Sequence, residues 1–206
     1  LPDVTLIEKA VNKIKKASNP MIVAGGGSIY SGAENVIKEF SEKHGIPVTE
    51  TFAGKGTLHY SNPFNLGGIG ATGTKGANEI ARESDLVIGI GTRFGDFTTA
   101  SKSLWQNKNV DFININVAEF DAFKNSAIPL QGDARETLKI ISQKLENHST
   151  DEGYIEKIKI LNKEWDDIVS KIYRTEDPKR PVQSELLGAV NEFMDDNDVV
   201  LCAAGS

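Results

Sequence analysis

The hydrophobic pattern of residues 1–145 alternates between short continuous apolar runs and longer amphipathic segments. The continuous runs predict strands that are buried on both faces, as parallel strands are. These runs are 20–24, 47–50, 85–91, 110–116 and 128–130. The amphipathic segments predict helices, because their apolar residues recur every three or four positions. These segments are Thr5–Ala17, Ala33–His44, 74–83 and a helix that begins at Asp133.

Polar residues at the helix ends predict where several of these helices begin and end. The pairs Thr5 with Glu8, Ser31 with Glu34 and Asp133 with Glu136 each match the spacing of a capping box. Gly45 predicts the end of the helix over Ala33–His44, and His44 there is expected to be a cation at a helix carboxyl terminus. The segment 51–73 is rich in glycine and is expected to be irregular.

Strands that alternate with helices predict an α/β fold, a Rossmann-like doubly wound parallel sheet of about six strands with helices on both faces. We expect this domain to occupy 1–148 and a connecting helix with a polar, proline-bearing linker to occupy 149–181. Residues 182–206 then predict the truncated start of a following domain, with a helix over Gln183–Met194 and a first strand from Asp198. Residue 1 is not Met and the chain stops on an apolar run, so we expect a fragment of a longer protein.

Composition excludes several classes of function. The 206 residues contain 23 basic and 29 acidic side chains, a net charge of −6, which argues against binding to nucleic acid or to an anionic membrane. The single Cys rules out an internal disulfide, and no Cys/His cluster is present to bind a metal. Neither an export signal nor an apolar run of membrane-spanning length occurs, so we expect a cytoplasmic location.

Glycine-rich turns are the main candidates for ligand binding. Gly68-x-Gly70-x-x-Gly73 has the letters of the dinucleotide fingerprint, but residues 63–66 before it predict a loop, whereas the fingerprint requires a strand there. Gly25–Gly27 do follow a predicted strand, where either a ligand or a tight turn would explain them. Arg93 follows another strand and is suited either to a phosphate or carboxylate ligand or to a surface ion pair. No arrangement of nucleophile, base and acid is evident, so the sequence predicts no catalytic residues.

Several runs together resemble the central domain of thiamine-diphosphate enzymes. They are 19–27, 51–56, 85–94, 115–119 and 132–134, and they occur in the family's order along essentially the whole chain. In that family the thiazolium ring performs the carbonyl chemistry, and the cofactor lies between two flanking domains. The resemblance therefore implies thiamine diphosphate and Mg²⁺ in a longer parent, and no thiamine diphosphate or catalysis in this fragment alone. It implies the flanking domains and identical subunits as partners.

The runs 95–102, 114–124 and 201–206 resemble one branch of that family. Enzymes of this branch open a cyclic dione to a 5-deoxy-glucuronate in myo-inositol breakdown, so the resemblance implies a small cyclic dione as substrate. Two alternatives stay open at this point. The chain could be the central domain of an acetolactate-synthase-like enzyme, or a stand-alone module that binds FAD, ADP or NAD.

In nucleotide-binding members of the family, the central domain holds FAD or ADP. The corresponding positions in this sequence are Gly25, Gly26, Gly27, Gly91, Arg93, Asn116 and Asp133. Asn116 departs from the Asp that is common in the family and that suits nucleotide hydroxyls. We therefore expect a vestigial nucleotide site at most, and a domain that serves as scaffold and subunit contact.

Overall fold

The fold is a six-stranded, all-parallel sheet, seen in a computed structural model that describes residues 1–174, 180, 182–195 and 197–201. The strands are β1 Pro20–Ala24, β2 Val48–Glu50, β3 Asn65–Gly68, β4 Leu86–Ile90, β5 Asp111–Asn116 and β6 Ile128–Gln131. Their order across the sheet is β3-β2-β1-β4-β5-β6. The predicted α/β doubly wound fold is confirmed, and its topological switch point lies between β1 and β4.

Helices within Leu1–Asn162 pack on both faces of the sheet and connect its strands. The α-helices are α1 Val4–Lys16, α2 Gly26–Tyr30, α3 Glu34–His44, α4 Lys75–Glu83, α5 Asp96–Thr99, α6 Glu119–Ala122, α7 Ala134–Leu145, α8 Glu152–Ile172 and α9 Gln183–Phe193. Two 3₁₀ turns cover Phe52–Gly54 and Lys124–Ser126. Among the described residues, none of these helices is both long and apolar enough to cross a lipid bilayer.

Each central strand supplies apolar side chains to two separate cores. In β1, Ile22 packs in the core that contains residues of α1, α3 and α7, whereas Met21 and Val23 pack in the core that contains residues of α4 and α8. In β4, Ile88 packs in the first of these cores and Val87 packs in the second. Successive side chains of a strand point to opposite faces, so a continuous apolar run is what a sheet covered on both faces requires.

Strand β3 corrects the prediction that residues 51–73 are irregular and that 63–66 form a loop. The sequence of β3 lacks the continuous apolar run of a buried strand. Hydrogen bonds of the Asn65 side chain hold its backbone in place instead. The amide of Asn65 donates to the Leu58 carbonyl at 2.9 Å and accepts from the Gly67 N–H at 2.8 Å. The Val48 N–H donates to the Phe64 carbonyl at 2.8 Å, which begins the pairing with β2. β3 is therefore an edge strand held by polar contacts that hydrophobic periodicity does not show.

Two of the three predicted helix caps are wrong. The N-cap of α1 is Asp3, whose carboxylate accepts from the Thr5 N–H at 2.7 Å, and these amide hydrogen bonds lower the pKa of Asp3. Ser31 ends the short helix α2 and donates to the Ser28 carbonyl, so α3 begins without a side-chain cap. Asp133 does cap α7, accepting from the Glu136 N–H at 2.9 Å. Glu136 does not complete the predicted box, because its carboxylate accepts from Arg135 and Lys139 instead. The predicted stop at Gly45 is confirmed, since its φ of 67° is left-handed.

His44 is not the cation that its place at the end of α3 predicts. The side chain is fully buried, and its Nδ1 lies 2.6 Å from the His148 carbonyl oxygen. Its Nε2 lies 3.0 Å from Ser142 Oγ. A carbonyl can only accept, so Nδ1 carries the proton and Nε2 accepts from the serine hydroxyl of a neutral ring. Burial lowers the pKa of His44, which keeps the ring neutral.

The described chain divides into two compact units, Leu1–Asn162 and Lys163–Ser206. In the second unit, Gly188 of α9 packs against the ring of Tyr173, where an added Cβ would lie 2.9 Å from the ring. Residues 197–201 do not form the strand predicted from Asp198, and Cys202–Ser206 lie outside the described residues. Glu176–Lys179 and Pro181 of the predicted linker also lie outside them. The division into 1–148, 149–181 and 182–206 stays a prediction.

Candidate functional site

A cavity of about 670 Å³ lies at the carboxyl edge of the sheet, around the switch point between β1 and β4. Loops that follow β1, β2, β4 and β5 form its walls, which is where open α/β sheets bind ligands. Six of the seven residues at the family's nucleotide positions line it: Gly25, Gly26, Gly27, Gly91, Arg93 and Asn116. Asp133 does not, because its carboxylate caps α7.

The glycines at the switch point allow two loops to pack directly on each other. A Cβ on Gly25 would lie 2.4 Å from the Gly91 carbonyl oxygen, and a Cβ on Gly91 would lie 2.5 Å from Gly27 Cα. The Gly27 N–H donates to the Gly91 carbonyl at 3.1 Å, and the Gly25 N–H donates to the Ile90 carbonyl at 2.8 Å. Loop packing thus explains these glycines, and two amides that would cradle a pyrophosphate already have partners.

Asn116, at the end of β5, uses both ends of its side-chain amide within the protein. Its Nδ2 donates to the Thr92 carbonyl at 3.1 Å, and its Oδ1 accepts from the Ala118 N–H at 3.0 Å. The side chain thereby ties the loop after β4 to the loop after β5. A carboxylate could not make the first of these hydrogen bonds, which gives a structural reason for Asn rather than Asp at this position.

Arg93 is exposed at the mouth of the cavity and forms no ion pair within the part of the chain that the structure describes. The predicted alternative of a surface ion pair is therefore not realised among those residues. Nearby Lys124 is neutralised instead, since its Nζ lies 2.7 Å from the Asp121 carboxylate. That Nζ also donates to the Arg93 carbonyl at 2.9 Å, which holds the backbone of Arg93 in place. The backbone of Arg93 is thus held in place, while its exposed guanidinium has no acidic partner among the described residues.

The Gly68-x-Gly70-x-x-Gly73 run does follow a strand, contrary to the prediction, but its turn is filled by the protein itself. Asn78 accepts from the Gly70 N–H at 3.0 Å and donates to the Gly70 carbonyl at 2.9 Å. Gly70, with φ of 101°, lies so close to the loop after β4 that an added Cβ would touch the Phe97 carbonyl oxygen. Thr74 caps α4 by accepting from the Ala77 N–H. The expectation of a glycine-rich surface other than a dinucleotide site agrees with this packing.

Sequence reasoning missed the aromatic part of the cavity wall. Tyr30 and Phe52 line the cavity and are 94% and 96% exposed. Aromatic side chains are expected to be buried, so the residue types did not indicate exposure. The available signal was position, because each residue lies in the segment that follows a strand, at the carboxyl edge of the sheet. A second pocket beside the first is formed by Glu119, Phe120, Phe123 and Lys124.

The described residues do not form a metal centre, and several donors at the switch point already have partners within the protein. Within the described ranges, no group of three His, Cys, Asp or Glu side chains is placed to hold a metal ion. At the switch point, the Gly25 and Gly27 N–H groups and one hydrogen of Asn116 Nδ2 are bonded within the protein, so they are not available to a ligand.

Comparison with known proteins places this architecture in a family. Residues 7–141, more than half of the chain, match the family described as "Thiamine pyrophosphate enzyme, central domain". The chain belongs to that family. The resemblance found in its sequence is confirmed by this match.

Several curated relatives of the chain carry the name 3D-(3,5/4)-trihydroxycyclohexane-1,2-dione hydrolase. The protein of that name from Clostridium tetani (strain Massachusetts / E88) is 38% identical over 100% of this chain and 36% of its own length. The one from Bacillus thuringiensis (strain Al Hakam) is 41% identical over 95% of this chain and 31% of its own length. The chain therefore spans about a third of the length of the curated relatives it matches.

Proposed function

We propose that the chain is the central domain of a thiamine-diphosphate- and Mg²⁺-dependent hydrolase that cleaves a carbon–carbon bond. Its substrate is trihydroxycyclohexane-1,2-dione, which it opens to 5-deoxy-glucuronate in myo-inositol breakdown. The observation that carries this proposal is the 38% identity to a hydrolase of that name across the whole chain. The branch-specific resemblance of 95–102 and 114–124 also supports it, because both runs contribute to the loops at the carboxyl edge.

In this proposal the chain acts as scaffold, and the chemistry belongs to other parts of a cytoplasmic homo-oligomeric parent. Thiamine diphosphate supplies carbanion stabilisation when bound, and it would be held with Mg²⁺ by the domains on either side. Residues 1–148 form the central domain, 149–181 connect it onward, and 182–206 begin the domain that binds the diphosphate and Mg²⁺. The chain by itself is expected to be inactive.

Turnover by the full-length parent tests this proposal. With thiamine diphosphate, Mg²⁺ and the cyclic dione, we expect release of the ring-opened acid, and no product when either cofactor is omitted. Pyruvate serves as the matched control substrate. Condensation of pyruvate without hydrolysis of the dione would contradict the proposal and assign the chain to the acetolactate-synthase-like alternative.

Nucleotide binding is the second candidate function, and unmatched Arg93 beside a cavity is the observation in its favour. We propose that the cavity holds no FAD, ADP or NAD, because Gly25, Gly27 and Asn116 are committed to internal hydrogen bonds. Thermal unfolding of the chain with each nucleotide at millimolar concentration is expected to show no stabilisation. A ligand at 100 times its Kd would add about 2.7 kcal/mol. Stabilisation that Arg93→Ala abolishes would overturn this proposal.

A further inference from the structure

The segment 146–151, which joins α7 to α8 and is here called the α7–α8 connection, is held against the end of α3. The Thr150 N–H donates to the His44 carbonyl at 3.0 Å, and the Thr150 hydroxyl donates to the Gly45 carbonyl at 2.8 Å. A Cβ on Gly45 would lie 2.5 Å from that hydroxyl oxygen, so glycine allows the close approach. The ring of His44 adds its 2.6 Å contact to the His148 carbonyl. Backbone and side-chain groups at the end of α3 therefore hold the same segment.

The α7–α8 connection begins with a strained turn. The His148 N–H donates to the Leu145 carbonyl at 3.0 Å and closes a turn of four residues. Glu146 occupies the first central position with φ of 55° and ψ of −115°, values at which type II′ turns usually have glycine. A residue with a Cβ keeps such a conformation only where its surroundings hold it there. The contacts to the end of α3 supply that restraint just after the turn.

The buried ring of His44 has nothing beside it that would compensate a positive charge. Among the described residues, the charged side chains that act on the ring are Lys43 on α3 and His148 on the α7–α8 connection, and both oppose its protonation. From α7 the ring meets the neutral Ser142 hydroxyl, and within α3 it packs edge-on with Phe40. Burial first, and Lys43 after it, lowers the pKa of His44. A protonated ring would therefore be more stable in water than in this site.

The α7–α8 connection can open while the helices on either side stay in place. Leu145, the last residue of α7, is buried in the core that contains residues of α1 and α3. In the first turn of α8, the Tyr154 hydroxyl donates to the Pro20 carbonyl at 2.9 Å. Both ends of the connection are thus anchored independently of His44, which confines any opening to the six residues between them.

We propose that the α7–α8 connection is an acid-sensitive latch, which neutral His44 holds closed and which protonation of the ring releases from the end of α3. Release places the ring in water, where its pKa is about 6.5, above its value in the closed latch. The released state binds the proton more tightly, so the latch is fully effective above this pH and weakens as the pH falls below it. The equilibrium constant for opening rises by at most about tenfold for each pH unit. The latch lies within the described chain and does not depend on which reaction the parent catalyses.

Hydrogen–deuterium exchange of the full chain, resolved to single amides and divided by the intrinsic rate at each pH, tests the latch. The His148 and Thr150 amides report opening, and the Ile88 and Ile90 amides of β4 report unfolding of the sheet. Between pH 7 and pH 5 we expect protection at Thr150 to fall at least about fivefold, whereas protection in β4 stays constant. Constant protection at Thr150, or a parallel loss in β4, would overturn the proposal.

Three variants separate His44 from other causes of the same pH dependence. His148→Gln removes the neighbouring imidazole but keeps the backbone carbonyl that the ring contacts, so it should retain the pH dependence. His44→Asn keeps a neutral amide donor in place of Nδ1 and should abolish it. Glu146→Gly relieves the turn and should raise protection at Thr150 severalfold at pH 7. Dependence that survives His44→Asn, or that His148→Gln removes, would overturn the proposal, and lower protection in Glu146→Gly would contradict the strained turn.

Discussion

Gly91→Ala is expected to lower the free energy of unfolding by about 2–5 kcal/mol. Two effects add at this position. Its φ of 58° is left-handed, which costs a residue with a Cβ about 1–2 kcal/mol. The added Cβ would also lie 2.5 Å from Gly27 Cα, against backbone that cannot move aside, and such overpacking costs about 1–3 kcal/mol. Urea unfolding of both proteins, followed by circular dichroism, measures the difference.

Gly68→Ala is the matched control for this substitution. Gly68 ends β3, has no left-handed φ, and has nothing within 4 Å of an added Cβ. Its stability should change by no more than about 0.5 kcal/mol, as at an unconstrained surface position. Equal stability of Gly91→Ala and Gly68→Ala would mean that the two loops at the switch point do not pack as described.

The parts of the fold that hydrophobic burial determines could be predicted from the sequence. The runs at 20–24, 85–91 and 110–116 became β1, β4 and β5 with bounds shifted by a residue or less, because both faces of a central strand must be apolar. β3 escaped prediction because it is an edge strand that Asn65 stabilises through polar contacts. Such contacts depend on partners distant in sequence, and no local pattern reveals them.

Local polar signals were reliable only where tertiary structure did not compete with them. Asp133 caps α7 as predicted, but the short helix α2 forms just before α3 and takes Ser31 as its end. His44 has the sequence position of a helix-terminal cation. Its ring is instead buried with the His148 carbonyl and Ser142 as partners, 104 and 98 residues away. Burial of the ring, which the sequence position does not reveal, lowers its pKa and keeps it neutral.

The sequence predicted where the candidate site lies, but it did not predict what its residues bind or contact. Glycines and Arg93 at strand ends indicated the carboxyl edge, where the cavity lies. The sequence could not show why glycine occurs at these positions. Close packing of two loops and close approach of a ligand both require a residue without a Cβ. Only the distance from Gly25 to Gly91 distinguishes these two causes.

Asn116→Asp is expected to destabilise the protein by about 2 kcal/mol or more at pH 7. The substitution replaces the donor to the Thr92 carbonyl with a carboxylate oxygen, while the hydrogen bond from the Ala118 N–H can remain. A buried carbonyl left without its donor costs about 1–3 kcal/mol, and a nearly buried charge adds to this. Thermal and urea unfolding across a series of pH values measure the loss.

The pH dependence of this variant separates a lost donor from a general packing defect. Burial and the facing Thr92 carbonyl both disfavour the ionised form, so the pKa of the introduced carboxyl rises in the folded state above its value of about 3.9 in the unfolded chain. The folded state then binds the proton more tightly, and the loss of stability shrinks as the pH falls through the raised pKa. Protonation also restores an O–H donor for Thr92.

Asn109→Asp supplies the matched control, because it makes the same change in net charge at an exposed position. Its stability relative to the unmodified protein should stay within about 0.5 kcal/mol across the same pH range. If Asn116→Asp behaves like this control, the amide of Asn116 does not join the loops after β4 and β5. A loss of stability at Asn116 that recovers in acid would instead show that this position requires an amide rather than a carboxylate.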